Sequence, residues 1–135
     1  MHIADGPLGP GTTGAAAFPG AGAVVTFEGI VRELEGQGRV SALDYQVYEP
    51  MATGMLESIA RDLIARRRLA GIHTEHSRGR VPVGACSFRL VVGAPHRKEA
   101  IEAMDEFIDR LKRDVPIWKT AVWAEAPAEP SKSAR

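Results

Sequence analysis

Two long amphipathic stretches, each opened by a proline, constrain this chain more than any other feature. After Pro50, the residues Met51, Met55, Leu56, Ile59, Leu63 and Ile64 recur at three- and four-residue spacing, which predicts a helix with one apolar stripe. After Pro95, Ala100, Ile101, Met104, Phe107, Ile108 and Leu111 repeat the pattern, with Glu102, Asp105, Asp109 and Arg110 largely off it. This second helix must stop before Pro116, because proline disfavours helical geometry in the preceding Val115. The first ends in Arg66-Arg67-Arg68, a basic last turn that suits the negative end of the helix dipole, with Gly71 as the expected left-handed cap. Two such stripes need a sheet to cover them.

The sheet is legible as period-two runs. From Ala23 to Arg32, Val25, Phe27 and Val31 alternate with Thr26, Glu28 and Arg32. Beyond the turn-like Glu35-Gly36-Gln37-Gly38, Leu43, Tyr45 and Val47 alternate with Asp44, Gln46 and Tyr48, and the two runs read as neighbouring antiparallel strands. A short strand near Ile72 to His76 precedes a turn at Pro82 to Gly84. Cys86, Phe88, Leu90 and Val92 then point one way and Ser87, Arg89 and Val91 the other. Ile117, Trp118, Val122 and Trp123 supply a last strand. The order β-β-α-β-β-α-β predicts an α+β fold: an antiparallel-rich sheet with two helices on one face, in which a ferredoxin-like split β-α-β-β-α-β core follows one extra N-terminal strand. With 135 residues a single domain is expected, with a Gly/Pro-rich lead-in over 1–22, a core over 23–124 and a flexible tail over 125–135.

Several function classes are disfavoured. Lys plus Arg and Asp plus Glu number 17 each, so no global field draws the chain to nucleic acid or membrane, and any anion site must be local. No apolar run approaches the roughly 18 residues of a membrane span, and no secretory leader is recognisable. Cys86 is the single cysteine, which suits a reducing compartment, so the cytoplasm is expected. His73 and His76 are three apart on a strand and point to opposite faces, so no metal site is expected. The glycines between Gly6 and Gly22 follow no strand and lack the setting of a dinucleotide fingerprint; no other cofactor motif is present. The strands lack the paired surface aromatics of an RNA-stacking sheet.

Three places carry candidate chemistry. Pro95-His96-Arg97 opens the second helix, where unpaired N–H groups and the positive dipole end favour an anion; a solvated turn or a pair with Glu99 is the plain alternative. Between Leu111 and Lys119 a helix end, a proline stop and a strand start bring Lys112 and Lys119 near one sheet edge. Lys119 shares a strand face with Ile117 and Ala121, opposite Trp118. The ammonium groups there can meet a carbonyl or oxyanion, or can cap the helix and reach water. Arg32, at the end of the first run and before a Gly-rich loop, is placed for ligand contact or for solvent.

In order and spacing, Gly22-Ala23-Val24-Val25-Thr26-Phe27-Glu28-Gly29-Ile30-Val31-Arg32, Leu43-Asp44-Tyr45 through Tyr48, Met51-Ala52, Pro95-His96-Arg97, and Leu111-Lys112 through Val115-Pro116-Ile117-Trp118-Lys119 resemble the molybdopterin synthase large subunit family. The resemblance implies a sulfurtransferase whose large subunits form a homodimer. Each would receive the C-terminal Gly-Gly tail of a small ubiquitin-like sulfur carrier ending in a thiocarboxylate, giving a heterotetramer. The implied substrate is cyclic pyranopterin monophosphate, with Arg32, His96 and Arg97 binding it and Lys112 and Lys119 as catalytic residues. No nucleic acid, membrane or resident cofactor is implied. The pattern departs from the family at His76-Ser77-Arg78-Gly79, where an arginine falls one residue late, and at Ala121 and Val122-Trp123 after the second lysine. A basic residue from the family's tail has no clear counterpart in Lys132 or Arg135. The altered C-terminal segment is the warning sign of one alternative, a noncatalytic homologue that binds the carrier or a small anion. A ferredoxin-like ligand-sensing module, which would need no lysine and no Gly-Gly-tailed partner, is a second.

Overall fold

The structure, a computed structural model, describes residues 1–11 and 18–127. The strands are β1 (His2–Asp5), β2 (Ala23–Ile30), β3 (Leu34–Glu35), β4 (Gly38–Val47), β5 (Gly71–Pro82), β6 (Cys86–Ala94) and β7 (Ile117–Glu125); the helices are α1 (Met51–Arg67) and α2 (Arg97–Asp114). The α+β class and the expected element order hold, with β1 and β3 as short additions. The tail expected beyond β7 lies largely outside the described residues, as do Lys132 and Arg135.

Strand order runs β2-β6-β5-β4, with β7 on β4. The expectation that β2 and β4 are neighbours fails: β2 pairs antiparallel with β6, from Ala23 opposite Ala94 to Glu28 opposite Arg89. The turn read between them instead makes the small β3–β4 hairpin, with Glu35 opposite Gly38 and Gly36 at φ 61° supplying the turn geometry. A split β-α-β-β-α-β would also place another strand between the two that flank α1. Here β4 and β5 meet directly and antiparallel over Ala42–Tyr45 and Gly79–Pro82. β5 is twice the expected length because it serves two partners in turn, β6 through His76 and β4 from Gly79. Parallel β1 sits on β5 at Glu75–Arg78, held there by Arg78 Nε donating to Asp5 at 2.9 Å.

The helices cover one face. Leu56, Ile59 and Leu63 of α1 and Phe107 and Leu111 of α2 close on Phe88, Leu90 and Val92 of β6 in one core. The predicted stripes shift slightly: Ala52 and Ala103 are buried, whereas Met51 and Ile101 stay exposed. The left-handed cap of α1 is Arg68 (φ 54°) rather than Gly71, its N–H donating to the Ile64 carbonyl. Gly71 has a packing role instead. The lead-in lays Phe18 over Gly71 and Gly93, where added Cβ atoms would stand 2.8 and 2.7 Å from its ring or stem. Phe18 therefore covers the sheet face away from the helices.

Candidate active site

α2 ends at Asp114, and Val115 turns the chain out of helical geometry before Pro116. The reversal is tight: Ile117 N–H donates to the Val115 carbonyl at 2.8 Å and Tyr48 N–H to the Pro116 carbonyl at 3.1 Å. Lys112 in the last turn of α2 and Lys119 at the third residue of β7 are thereby brought to one place. With Arg32, just beyond β2, both lysines line a cleft of about 420 Å³. Ile117 is buried and Lys119 and Ala121 half-buried, while Trp118 is exposed, as the alternation predicts.

An aromatic row runs along the cleft, one ring from each of four strands. Tyr45 meets His76 edge-on at 5.2 Å between centroids, His76 lies 5.8 Å from Phe88, and Phe88 lies 6.0 Å from Phe27. His76 Nδ1 is 2.7 Å from the Ser77 carbonyl, so that nitrogen carries the proton and donates. The Tyr45 hydroxyl is hydrogen-bonded to Ser87 Oγ at 2.9 Å, and burial pushes its pKa above the ordinary phenol value. The sequence reading gave Tyr45, His76 and Ser87 no role in the site; the signal was tertiary, since only strand register brings them together.

The charges divide sharply. Among the described residues, Arg32, Lys112 and Lys119 have no ion pair and no side-chain hydrogen bond, whereas Arg66, Arg67, Arg78, Arg89, Arg110 and Arg113 all hold carboxylates. Two carboxylates border the cleft, and Glu28 is engaged by Arg89, which is 3% exposed and also grips Glu75 and the Gly9 carbonyl. Glu35 is the other. Three unpartnered cations in one concave site fit an anionic ligand.

The remaining two candidates are elsewhere. His96 and Arg97 sit exposed at the opening of α2, 15 residues and so about 22 Å along the helix from Lys112. One copy of the chain does not bring them to the cleft. Arg78, displaced by one residue from the family pattern, points out of the cleft to Asp5, while His76 keeps its place within it.

Fold and cleft together define an α+β protein with a cationic, aromatic-lined ligand site. The MoaE protein family model matches residues 5–114, and the chain belongs to that family. It is 39% identical over 105 residues to the molybdopterin synthase catalytic subunit of Bacillus subtilis (strain 168), covering 78% of this chain and 67% of that protein. With the subunit of the same name from Coccidioides immitis (strain RS) it shares 39% over 122 residues, 90% of this chain and 62% of the relative. The match thus spans about two thirds of these curated relatives. The crystal structure of molybdopterin synthase from Staphylococcus aureus superposes with a TM-score of 0.79 at 28% identity, covering 92% of this chain and 91% of that one. The complex of subunits 1 and 2 of the molybdopterin-converting factor from Helicobacter pylori 26695 superposes with a TM-score of 0.72 at 25% identity, covering 96% and 92%. No helix among the described residues is long and apolar enough to cross a membrane.

Proposed function

We propose that this chain is the catalytic subunit of a molybdopterin synthase, moving sulfur from the C-terminal thiocarboxylate of a small Gly-Gly-tailed carrier to cyclic pyranopterin monophosphate in the cytoplasm. The observation that carries this reading is the convergence of Arg32, Lys112 and Lys119, each without a carboxylate partner, on one cleft in a member of the MoaE family. Both reactants are anionic, so the cleft supplies the charge that each lacks.

Arg32 binds the substrate phosphate through its planar fork of donors. Lys119, half-buried on the strand, and Lys112, at the helix end, flank the point where the carrier's acyl carbon meets the pterin. Once the carrier sulfur has bonded to a pterin side-chain carbon, the acyl carbon is part of a thioester. Water adds to its carbonyl to give a tetrahedral oxyanion, and collapse breaks the acyl C–S bond, leaving sulfur on the pterin and a carboxylate on the carrier. Ammonium groups held in a partly desolvated cleft stabilise that charge more than water does. Two transfers, with opening of the cyclic phosphate, complete the dithiolene.

His96 and Arg97 join this site only if a second copy supplies them. In a two-fold dimer the opening of α2 in one protomer faces the cleft of its partner, which reconciles their role as substrate ligands with their distance from Lys112. The test is reconstitution with thiocarboxylated carrier and cyclic pyranopterin monophosphate, following molybdopterin. Wild-type product that disappears in Lys119→Ala supports the reading, whereas carrier binding without any product would make this chain a noncatalytic homologue.

A further inference from the structure

We propose that Tyr45, tethered through its hydroxyl to Ser87, is a positioning residue that fixes where the Lys119 ammonium stands. The inference rests on the reading of Lys119 above. Tyr45 in β4 is directly opposite Lys119 in β7, so the two side chains leave the sheet on one face as immediate neighbours. On its other side Tyr45 faces Gly79 of β5, which has no side chain to fill the row. The ring is therefore the wall against which the lysine stem lies.

A lysine stem has four rotatable bonds and loses much rotamer freedom when held in one geometry. A wall that itself swings would not hold it. Tyr45 is fixed at two points: the edge of its ring against His76, and its hydroxyl on Ser87 Oγ, which is 4% exposed and belongs to β6. Ser87 Oγ in turn stands 3.5 Å from the Gly29 carbonyl of β2, at the far wall of the cleft. The hydroxyl thus links β4, which pairs with the lysine's strand, to the strands on the opposite side of the site. The phenol is neutral at its ordinary pKa and burial pushes that pKa further up, so the hydroxyl serves as a neutral hydrogen-bonding anchor.

Tyr45→Phe keeps the ring and removes the tether, and Ser87→Ala removes it from the other end. Both changes are small enough to leave the fold in place, which circular dichroism and thermal melting check. The first readout needs no turnover: a brief pulse of acetic anhydride, with mass spectrometry of Lys119 acetylation relative to exposed Lys98 in the same sample. The Lys119 to Lys98 ratio is expected to rise several-fold in each variant and no further in the double variant, since both remove one interaction. The second readout is synthase turnover, where kcat falls by about ten-fold with both KM values unchanged, because positioning acts after binding. An unchanged labelling ratio, additive effects, or a lower Tm with kcat intact would each overturn the proposal. If Lys119→Ala retained turnover, the catalytic reading of Lys119 would fail while the labelling ratio still decided the tether.

Discussion

The outer faces of the two helices and the cleft at their end use the same kinds of side chain to opposite effect. On the helices, Arg66 and Arg110 share Asp62, Arg66 and Arg67 share Glu106, and Arg67 also reaches Glu102, so α1 and α2 are laced together by charge. In the cleft a few residues further on, Lys112 and Lys119 have no carboxylate among the described residues. The helices can form such a lattice because acids and bases recur three and four apart and face a second helix bearing the complement. Of the carboxylates that border the cleft, Glu28 is held by Arg89, and neither it nor Glu35 pairs with a lysine, which leaves the site open to an anionic reactant. Along the helices the cations' partners are encoded three and four residues away or on the facing helix, and at the cleft Lys112 and Lys119 are left unpaired among the described residues.

The largest effect that would break this contrast comes from mixing two inactive variants. Lys119→Ala should lower turnover by at least about 10²-fold, and Arg97→Ala should fail for want of substrate. If His96 and Arg97 serve the partner's cleft, co-refolded mixtures form heterodimers in half of the cases, each with one intact site of two. On a two-fold interface, turnover should then return to about a quarter of wild type. No recovery would mean that Arg97 does not act across the interface. A companion measurement sharpens the comparison: Lys112→Met and Lys119→Met should leave Tm unchanged or slightly raised, because two unpaired like charges are removed.

Next in size is the buried arginine. Arg89 is 3% exposed and holds Glu28, Glu75 and the Gly9 carbonyl together, so Arg89→Met leaves two carboxylates without their partner. Glu28 can turn to water but Glu75 is mostly covered, and a loss of about 3 kcal/mol is expected. Chemical denaturation measures it, and a variant as stable as wild type would remove Arg89 from the account.

Much of this organisation is legible in the sequence, and what is not has a physical reason. Pro50, Pro95 and Pro116 delimit both helices because proline's constraints are local. Alternation correctly places Lys119 with Ile117, again a local property of a strand. Pairing partners are not local: the Gly36 turn joins β3 to β4, and only the closed core decides that β2 lies on β6. Two glycines in separate strands, Gly71 and Gly93, make sense once Phe18 is seen lying over both. Tyr45 and Ser87 are 42 residues apart, and each reads as an ordinary alternating strand residue until register brings them to 2.9 Å. His96 and Arg97 mark the limit of one chain's geometry, since a single copy leaves them outside the cleft.

The smallest predicted effect concerns the helix lattice and pH. Asp62 is held below the ordinary carboxylate range by hydrogen bonds from Arg66 and then Arg110, and Glu106 chiefly by its hydrogen bond from Arg67, with further help from Arg66. A carboxyl whose folded pKa is depressed adds stability that is complete above its unfolded value and is lost as pH falls through the folded one. The lattice should therefore contribute fully at neutral pH and vanish progressively in acid below the normal range for Asp and Glu. Glu106→Gln removes one member, so Tm should fall modestly at pH 7, where screening keeps the contribution small, and its further fall with acidification should become shallower as the two proteins converge in acid. Cleft variants such as Lys112→Met should leave that acid slope unaltered, because neither carboxylate of the lattice faces the cleft. A Glu106→Gln protein with the wild-type acid slope would show that the lattice is merely a set of surface contacts, and the contrast between the two regions would then rest on the cleft alone.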